Sequence, residues 1–315
     1  ICRLNLRITF TDNISGTDAW VMKKIFYTAK ANYKRWVYSP QIYLAFMIGF
    51  IFCFLLSDKV VQFSKEHDTV LQMNEAFIWT FGDAKSVMVI SLMLLLIFAD
   101  MPHLGNDVPF FLVRIDRRTY ILGQIFYMVS ATGIYTLFIM VSTMVLSMSR
   151  SYTANMWSDT AAILGYSDIG QKIAVPTFVK VLERSYPYQV SLNIFALLLG
   201  YTMLLSSIIL FLNLVKDNLG MVGGIIYCLF GYLLTPDIVQ AWFKLSDEQS
   251  RIANIIFGWM SPLNQATYYM HNFGYDNLPR LGFSYGFFAV TSTLFFVLSA
   301  IKIKRYTFNF TGTWK

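Results

Sequence analysis

Charge is what this chain has least of. Only 14% of its 315 residues are Asp, Glu, Lys or Arg, against about 25% in soluble domains. No stretch is both long and polar enough to fold as a separate soluble enzymatic domain. The cysteines are three, Cys2, Cys53 and Cys228, with no close spacing. They offer no disulfide framework or thiolate metal site, and they read as small apolar residues in packed or lipid-facing positions. His67, His103 and His271 are equally scattered and form no metal motif. The glycine-rich G-x-x-x-x-G-K-[ST] sequence is missing. The chain therefore does not bind ATP through a P-loop. The first forty residues are polar and basic, so no cleavable secretory segment is expected there.

What fills the sequence instead is apolar. Hydrophobic residues make up 56% and aromatics 17%. Six runs dominate: Gln41–Ser57, Ala84–Met101, Tyr120–Ser147, Ser191–Val215, Leu219–Thr235 and Gly282–Ile301. A helix needs roughly 17–25 mostly apolar residues to cross the hydrocarbon core of a bilayer. Inside lipid the backbone must satisfy its own hydrogen bonds, which makes each run a helix. The expectation is an all-α membrane protein with six transmembrane helices.

The net charge of +7 could indicate nucleic acid, but its distribution favours a membrane. With the N-terminus inside, segments 1–40, 102–119, 216–218 and 302–315 hold 15 of the 25 Lys and Arg residues. Basic residues collect on the cytoplasmic side, so both termini are expected there and no nucleic-acid partner is expected. Segments 58–83, 148–190 and 236–281 then face outside. Within the spans the polar residues are hydroxyls and amides, such as Ser130, Thr132, Thr136, Ser142, Thr143, Asn193, Thr202, Ser206, Ser207, Thr291 and Ser292. They are expected to bond the preceding helical turn or a neighbouring helix. The buried charges of an ion-coupled carrier are missing.

Four features divide the rest. From Trp20 to Val37, Met22, Ile25, Phe26, Ala29, Tyr33, Trp36 and Val37 recur at helical spacing. Lys23, Lys24, Lys30, Lys34 and Arg35 occupy much of the other face. Such a helix, covering 20–38, is expected in the membrane interface; as a calmodulin target it would not sit directly before a span. The apolar patch Ala76–Phe81 reads as an outward extension of the second span. The fifth span carries Gly220, Gly223, Gly224 and Gly231, which suit close helix packing in lipid. Finally, Ala253–Asn272 is apolar but too short to cross and is interrupted at Ser261-Pro262. It reads as two short helices dipping into the outer leaflet, with Trp259, Pro262 and Tyr268 at interface depth.

The functional signal lies between spans two and three, in Pro109, Phe110, Phe111, Leu112, Val113, Arg114, Ile115, Asp116, Arg117 and Arg118. Membrane anchoring explains the arginines. It does not explain Phe110, Phe111, Val113 and Ile115 in a loop that could have been three polar residues. A helix with an apolar and a charged face, outside the bilayer, is shaped to dock into a partner's groove.

These features together resemble the permease subunits of ABC-2 type ATP-driven transporters, particularly those of Gram-positive bacteria. The resemblance rests on the interfacial helix and six spans, and on Phe98-Ala99-Asp100-Met101-Pro102 ending span two. It also rests on Arg114-x-x-Arg117 leading into Tyr120-x-x-Gly123-Gln124-Ile125, and on the Ser261-Pro262 break before the last span. It covers roughly residues 20–305 and divides the chain into an N-terminal cytoplasmic segment (1–19), the interfacial helix (20–38), a permease domain (39–305) and a cytoplasmic tail (306–315).

The resemblance implies a paired permease, as homo- or heterodimer, served by two copies of a separate ATPase subunit. ATP and Mg would sit on that ATPase, with no cofactor, metal or catalytic residue in this chain. Pro109, Phe110, Phe111, Val113, Arg114, Asp116 and Arg117 would form the coupling helix. The interfacial helix, through Lys23, Phe26, Lys30, Tyr33 and Trp36, would also touch the ATPase. The substrates implied are exported peptides, drugs or lipid- and glycan-type molecules. The alternatives are a membrane-embedded enzyme, for which Asp100 with His103 or His271 with Asp276 would be the candidate pairs, an ion-coupled carrier, or an anchoring protein.

Overall fold

A computed structural model describes residues 20–102, 114–167, 179–216, 218–274 and 277–306. Helix α1 covers 20–36, and residues 37–39 form an elbow. Ser39 is extended, at φ −97° and ψ 108°, and Pro40 opens α2 (Pro40–Glu66). The residue before proline avoids the helical region, and the missing N–H of proline costs nothing at the first helical position. These two preferences place the elbow.

Helix α2 buries Ile42, Ala45, Gly49, Cys53, Ser57 and Val60 at three- and four-residue spacing. Its opposite face exposes Tyr43, Leu44, Met47, Phe50, Ile51, Phe54 and Leu55. An apolar face that large is a liability in water and ordinary in hydrocarbon. The helix continues nine residues past the expected Ser57, because Val60, Val61 and Phe63 still bury against the rest of the molecule.

The remaining helices are α3 (Glu75–Phe81), α4 (Ala84–Phe98), α5 (Arg117–Ser147), α6 (Asp159–Tyr166), α7 (Val179–Arg184) and α8 (Pro187–Val215). After them come α9 (Leu219–Leu233), α10 (Pro236–Phe243), α11 (Ser250–Met260), α12 (Pro262–Ala266) and α13 (Leu281–Lys302). Among the described residues the only sheet is a two-residue parallel bridge pairing Leu71 with Ser151 and Gln72 with Tyr152. The protein is all-α. Four of its helices, α2, α5, α8 and α13, are long and apolar enough to cross a membrane. Two bent pairs, α3 with α4 and α9 with α10, raise that number to six if each contains a crossing.

The bends correct one expectation. Ala76–Phe81 does not extend the second span; α3 meets α4 at 89°. Gly82 makes the corner, and the ring of Tyr269 packs so tightly on it that a Cβ would lie 2.2 Å from the ring. The tyrosine hydroxyl donates to Ile78 O (3.1 Å). A contact from far along the chain, not local propensity, sets the corner.

Helix α8 is the central element: 61% of its most apolar window is buried, against 22% for α13. It packs on α13, α9, α5 and α4. Helix α9 returns against it after a turn at Asn218, whose φ of 66° lies in the left-handed region that Asn tolerates. The glycines of α9 allow close approach, as expected. A Cβ at Gly224 would meet the Leu95 side chain at 2.4 Å, and one at Gly231 would meet Leu263 at 2.7 Å. Several hydroxyls bond back along their own helices, as in Thr136 to Thr132 O (2.9 Å), Ser142 to Phe138 O (2.7 Å) and Thr202 to Leu198 O (2.7 Å), whereas the buried Thr132 hydroxyl has no partner among the described residues. Asn193 instead accepts from the Tyr285 hydroxyl of α13 (3.0 Å).

Candidate functional site

One end of the bundle gathers α1, the start of α5, the junction of α4, α8 and α9, and the end of α13. This end is strongly basic. Lys23, Lys30, Lys34, Arg114, Arg117, Arg118, Lys302, Lys304 and Arg305 are all exposed on it.

Helix α1 runs along the start of α5, held by a ladder of polar bonds. Lys24 Nζ donates to Arg114 O (2.9 Å), and Asn32 Nδ2 to Gln124 Oε1 (2.7 Å). Tyr33 OH donates to Ser130 Oγ (2.7 Å), and Trp36 Nε1 to Tyr127 OH (2.7 Å). Gly123 admits the helix, since a Cβ there would stand 2.6 Å from Thr28 Cβ. The Gly123-Gln124 pair of the sequence motif is thus where α1 docks. The apolar face of α1 is divided. Ile25, Ala29, Tyr33 and Trp36 turn toward protein, while Met22, Phe26 and Val37 stay exposed beside Lys23, Lys30 and Lys34. An apolar edge next to a basic edge suits the membrane interface.

Of the expected coupling segment, Pro109, Phe110, Phe111 and Val113 lie outside the described residues, as does His103. Arg114, Asp116 and Arg117 are described and exposed. Asp116 directly precedes α5 in an extended conformation, with φ −62° and ψ 149°. Arg117 donates to Lys304 O and Tyr306 O (3.1 Å each), tying the start of α5 to the end of α13. Asn213 joins three more elements. Its Nδ2 donates to Ala99 O (3.0 Å) and Met101 O (2.6 Å), and its Oδ1 accepts from Gly220 N (2.7 Å). Residues 99–101 lead into the candidate coupling segment, so its root is held by α8. Nothing in the hydropathy pattern marked Asn213; a lone amide in an otherwise apolar helix end was the available signal.

The opposite end holds the third group of expected residues. The break at Ser261-Pro262 is present, with Ser261 Oγ accepting from Asn264 N (3.2 Å) to start α12. Trp259 on α11 donates from Nε1 to Asn277 O (3.1 Å), and Tyr268 is buried. Helix α12 packs on α8, α4, α9 and α11. Pro262 and Tyr268 thereby come together in the bundle end, while Trp259 stays half-exposed.

Glu75 is the buried carboxylate of this end. Oε1 accepts from Ser158 N (2.8 Å), and Oε2 accepts from Ser158 Oγ (2.5 Å) and Gln72 N (3.1 Å). Burial pushes its pKa up to about 7, and these three bonds to the charged form only partly oppose the shift.

One pair here bears on the enzyme alternative. His271 Nε2 lies 2.9 Å from Ser284 Oγ, and Nδ1 faces Thr267 O and Tyr268 O (3.0 and 3.1 Å). Two carbonyls at Nδ1 place the proton there, so Nε2 accepts from the serine. Gly282-Phe283-Ser284-Tyr285-Gly286 also matches G-x-S-x-G, against the expectation that the chain lacks that motif. The surroundings argue for a structural bond. Ser284 lies in the first turns of α13 rather than on a strand-to-helix elbow, no carboxylate among the described residues orients the histidine, and the two residues are 0% and 1% exposed. Asp276, the other member of the suggested His271 pair, lies outside the described residues. Burial lowers the His271 pKa. Among the described residues no cluster of His, Cys, Asp or Glu could hold a metal.

No family model, curated protein or solved structure matches this chain.

Proposed function

We propose that this chain is the transmembrane subunit of an ATP-driven ABC transporter, of the ABC-2 permease type. In this reading α2, α4, α5, α8, α9 and α13 cross a bacterial cell membrane six times, with both termini cytoplasmic. Segments α11 and α12 form a re-entrant element at the outer surface. Two permease chains pair, as homo- or heterodimer, and each engages one ATPase subunit that carries ATP and Mg. The exported substrate is a peptide, a drug or a lipid- or glycan-type molecule.

The observation that carries the reading is the convergence at the basic end. Lys24 on α1 bonds the Arg114 carbonyl, and Arg117 bonds the Lys304 and Tyr306 carbonyls. The root of the candidate coupling segment, the interfacial helix and the end of the last long helix therefore share one exposed face. A rigid face of this kind suits transmission of motion from a soluble partner to α4 and α5. The sequence resemblance supplies the identity of that partner.

The test is purification of the tagged chain from its native membrane in mild detergent. The expected result is a co-purifying P-loop ATPase with Mg-dependent ATP hydrolysis. A chain that emerges without any P-loop ATPase contradicts the reading.

A further inference from the structure

The elbow between α1 and α2 borders a half-open cleft of about 310 Å³, at the lower end of the roughly 300–1,000 Å³ typical of small-ligand sites. Its walls mix two kinds of chemistry. Arg35 and Asp100 bring one positive and one negative charge, with Asn32, Ser39 and Gln41 as further polar groups. Ile42, Ile97 and Met101 supply the apolar side, together with the rings of Trp36, Tyr38 and Tyr127. We propose that this cleft holds the headgroup of a zwitterionic phospholipid with a primary amine, its phosphate at Arg35 and its ammonium at Asp100.

Each part of the assignment has a physical reason. Guanidinium is the side chain best matched to a phosphate, and its five N–H donors serve more than one acceptor at once. Carboxylate favours an ammonium that can donate hydrogen bonds. A purely anionic headgroup would satisfy Arg35 and be repelled by Asp100. A quaternary amine would need an open aromatic cage. The Trp36 ring is instead packed by Tyr33, Phe46 and Tyr127, with centroids at 5.1, 5.6 and 6.5 Å, and its N–H is committed to the Tyr127 hydroxyl.

Position selects a lipid over a free solute. The cleft lies at the first turn of a 27-residue apolar helix. Val37, Tyr38 and Tyr43 are exposed around it. Aromatics of this kind mark headgroup depth, and the outward apolar face of α2 continues from there as a track for acyl chains. The bound lipid would wedge the elbow and fix the angle between α1 and α2. The inference requires membrane insertion but no ATPase, so it stands or falls separately from the transporter reading.

The experiment is native mass spectrometry of the full chain, with phosphatidylethanolamine, phosphatidylcholine and phosphatidylglycerol offered at equal concentration. The expected result is about a tenfold preference for the ethanolamine lipid over the choline lipid, the effect of one charge-assisted hydrogen bond. Asp100→Asn should abolish that preference, and Arg35→Gln should lower retention of all three lipids. Lys65→Gln, exposed at the opposite end, should change nothing. Millimolar phosphoethanolamine should fail to displace the lipid. Equal retention of the two zwitterionic lipids by the unmodified chain overturns the proposal without recourse to a variant. Full displacement by phosphoethanolamine overturns it in favour of a soluble ligand.

Discussion

Replacing Asn213 by leucine tests whether the basic end is held as described. The side chains are similar in size, so the change removes hydrogen bonds with little cavity. Three groups lose their partner: Ala99 O, Met101 O and Gly220 N–H. Leaving a buried polar group unsatisfied costs about 1–3 kcal/mol, which gives about 3–9 kcal/mol for three groups. Removing the buried amide itself returns about 1–2 kcal/mol. The net expectation is a loss of about 1–8 kcal/mol, or an apparent melting temperature lower by about 2 °C at the least. Asn213→Asp should behave no better. It keeps an acceptor for Gly220 but presents oxygen to two carbonyls. The assay is thermal melting of detergent-solubilised protein followed by size-exclusion chromatography, at one heating schedule for all variants. If Asn213→Leu melts within about 1 °C of the unmodified chain, below the smallest expected shift, the three bonds do not hold the ends of α4, α8 and α9 together.

Three further outcomes follow from particular contacts. Folding raises the Glu75 pKa from 4.5 to about 7, so it favours the protonated form. The stabilisation is complete below about pH 4.5 and is lost as pH rises through about 7. Glu75→Gln should flatten the decline of melting temperature between about pH 4.5 and 7, and an unchanged slope would remove Glu75 as its cause. Gly123→Ala should displace α1, because the added Cβ would meet Thr28 Cβ at 2.6 Å and Ile25 O at 3.1 Å; the expected cost is about 1–3 kcal/mol, with faster proteolysis within 20–36. If the proposed transporter reading holds, Phe110→Ala combined with Phe111→Ala should weaken ATPase association by about 2 kcal/mol or more, the usual effect of truncating interface aromatics. Membrane insertion should be unaffected, and changing only Arg114 and Arg117 should do less.

Much of the long-helix framework was legible because each helix carries its own signal. The six apolar runs marked the long helices, and the glycines of α9 marked close packing. Most of the hydroxyls bonded back to their own helical turns, as in Thr136, Ser142 and Thr202, but the buried Thr132 hydroxyl finds no partner among the described residues. What stayed hidden depends on partners remote in sequence. Ala76–Phe81 is apolar apart from Thr80, so its pattern could not reveal a corner set by Tyr269. Glu75 carries no local sign of burial, because the Ser158 groups that bond it lie 83 residues away. The face of α1 was misdivided because Thr28 and Asn32 are polar yet buried: Gly123 and Gln124 receive them. The nucleophile-like sequence around Ser284 has chemical meaning only beside His271, and there the buried pair acts as a clasp between α13 and the end of the α11–α12 segment.

The most direct test of the account is site-specific photo-crosslinking in native membranes. A photoreactive residue placed at Phe110 or Lys34 should form an adduct with a P-loop ATPase, and the adduct should diminish when Phe111→Ala is added to the Lys34 probe. The same probe at Met156, exposed at the opposite end, should form none. An ATPase adduct from position 156, or none from positions 34 and 110, would contradict the account.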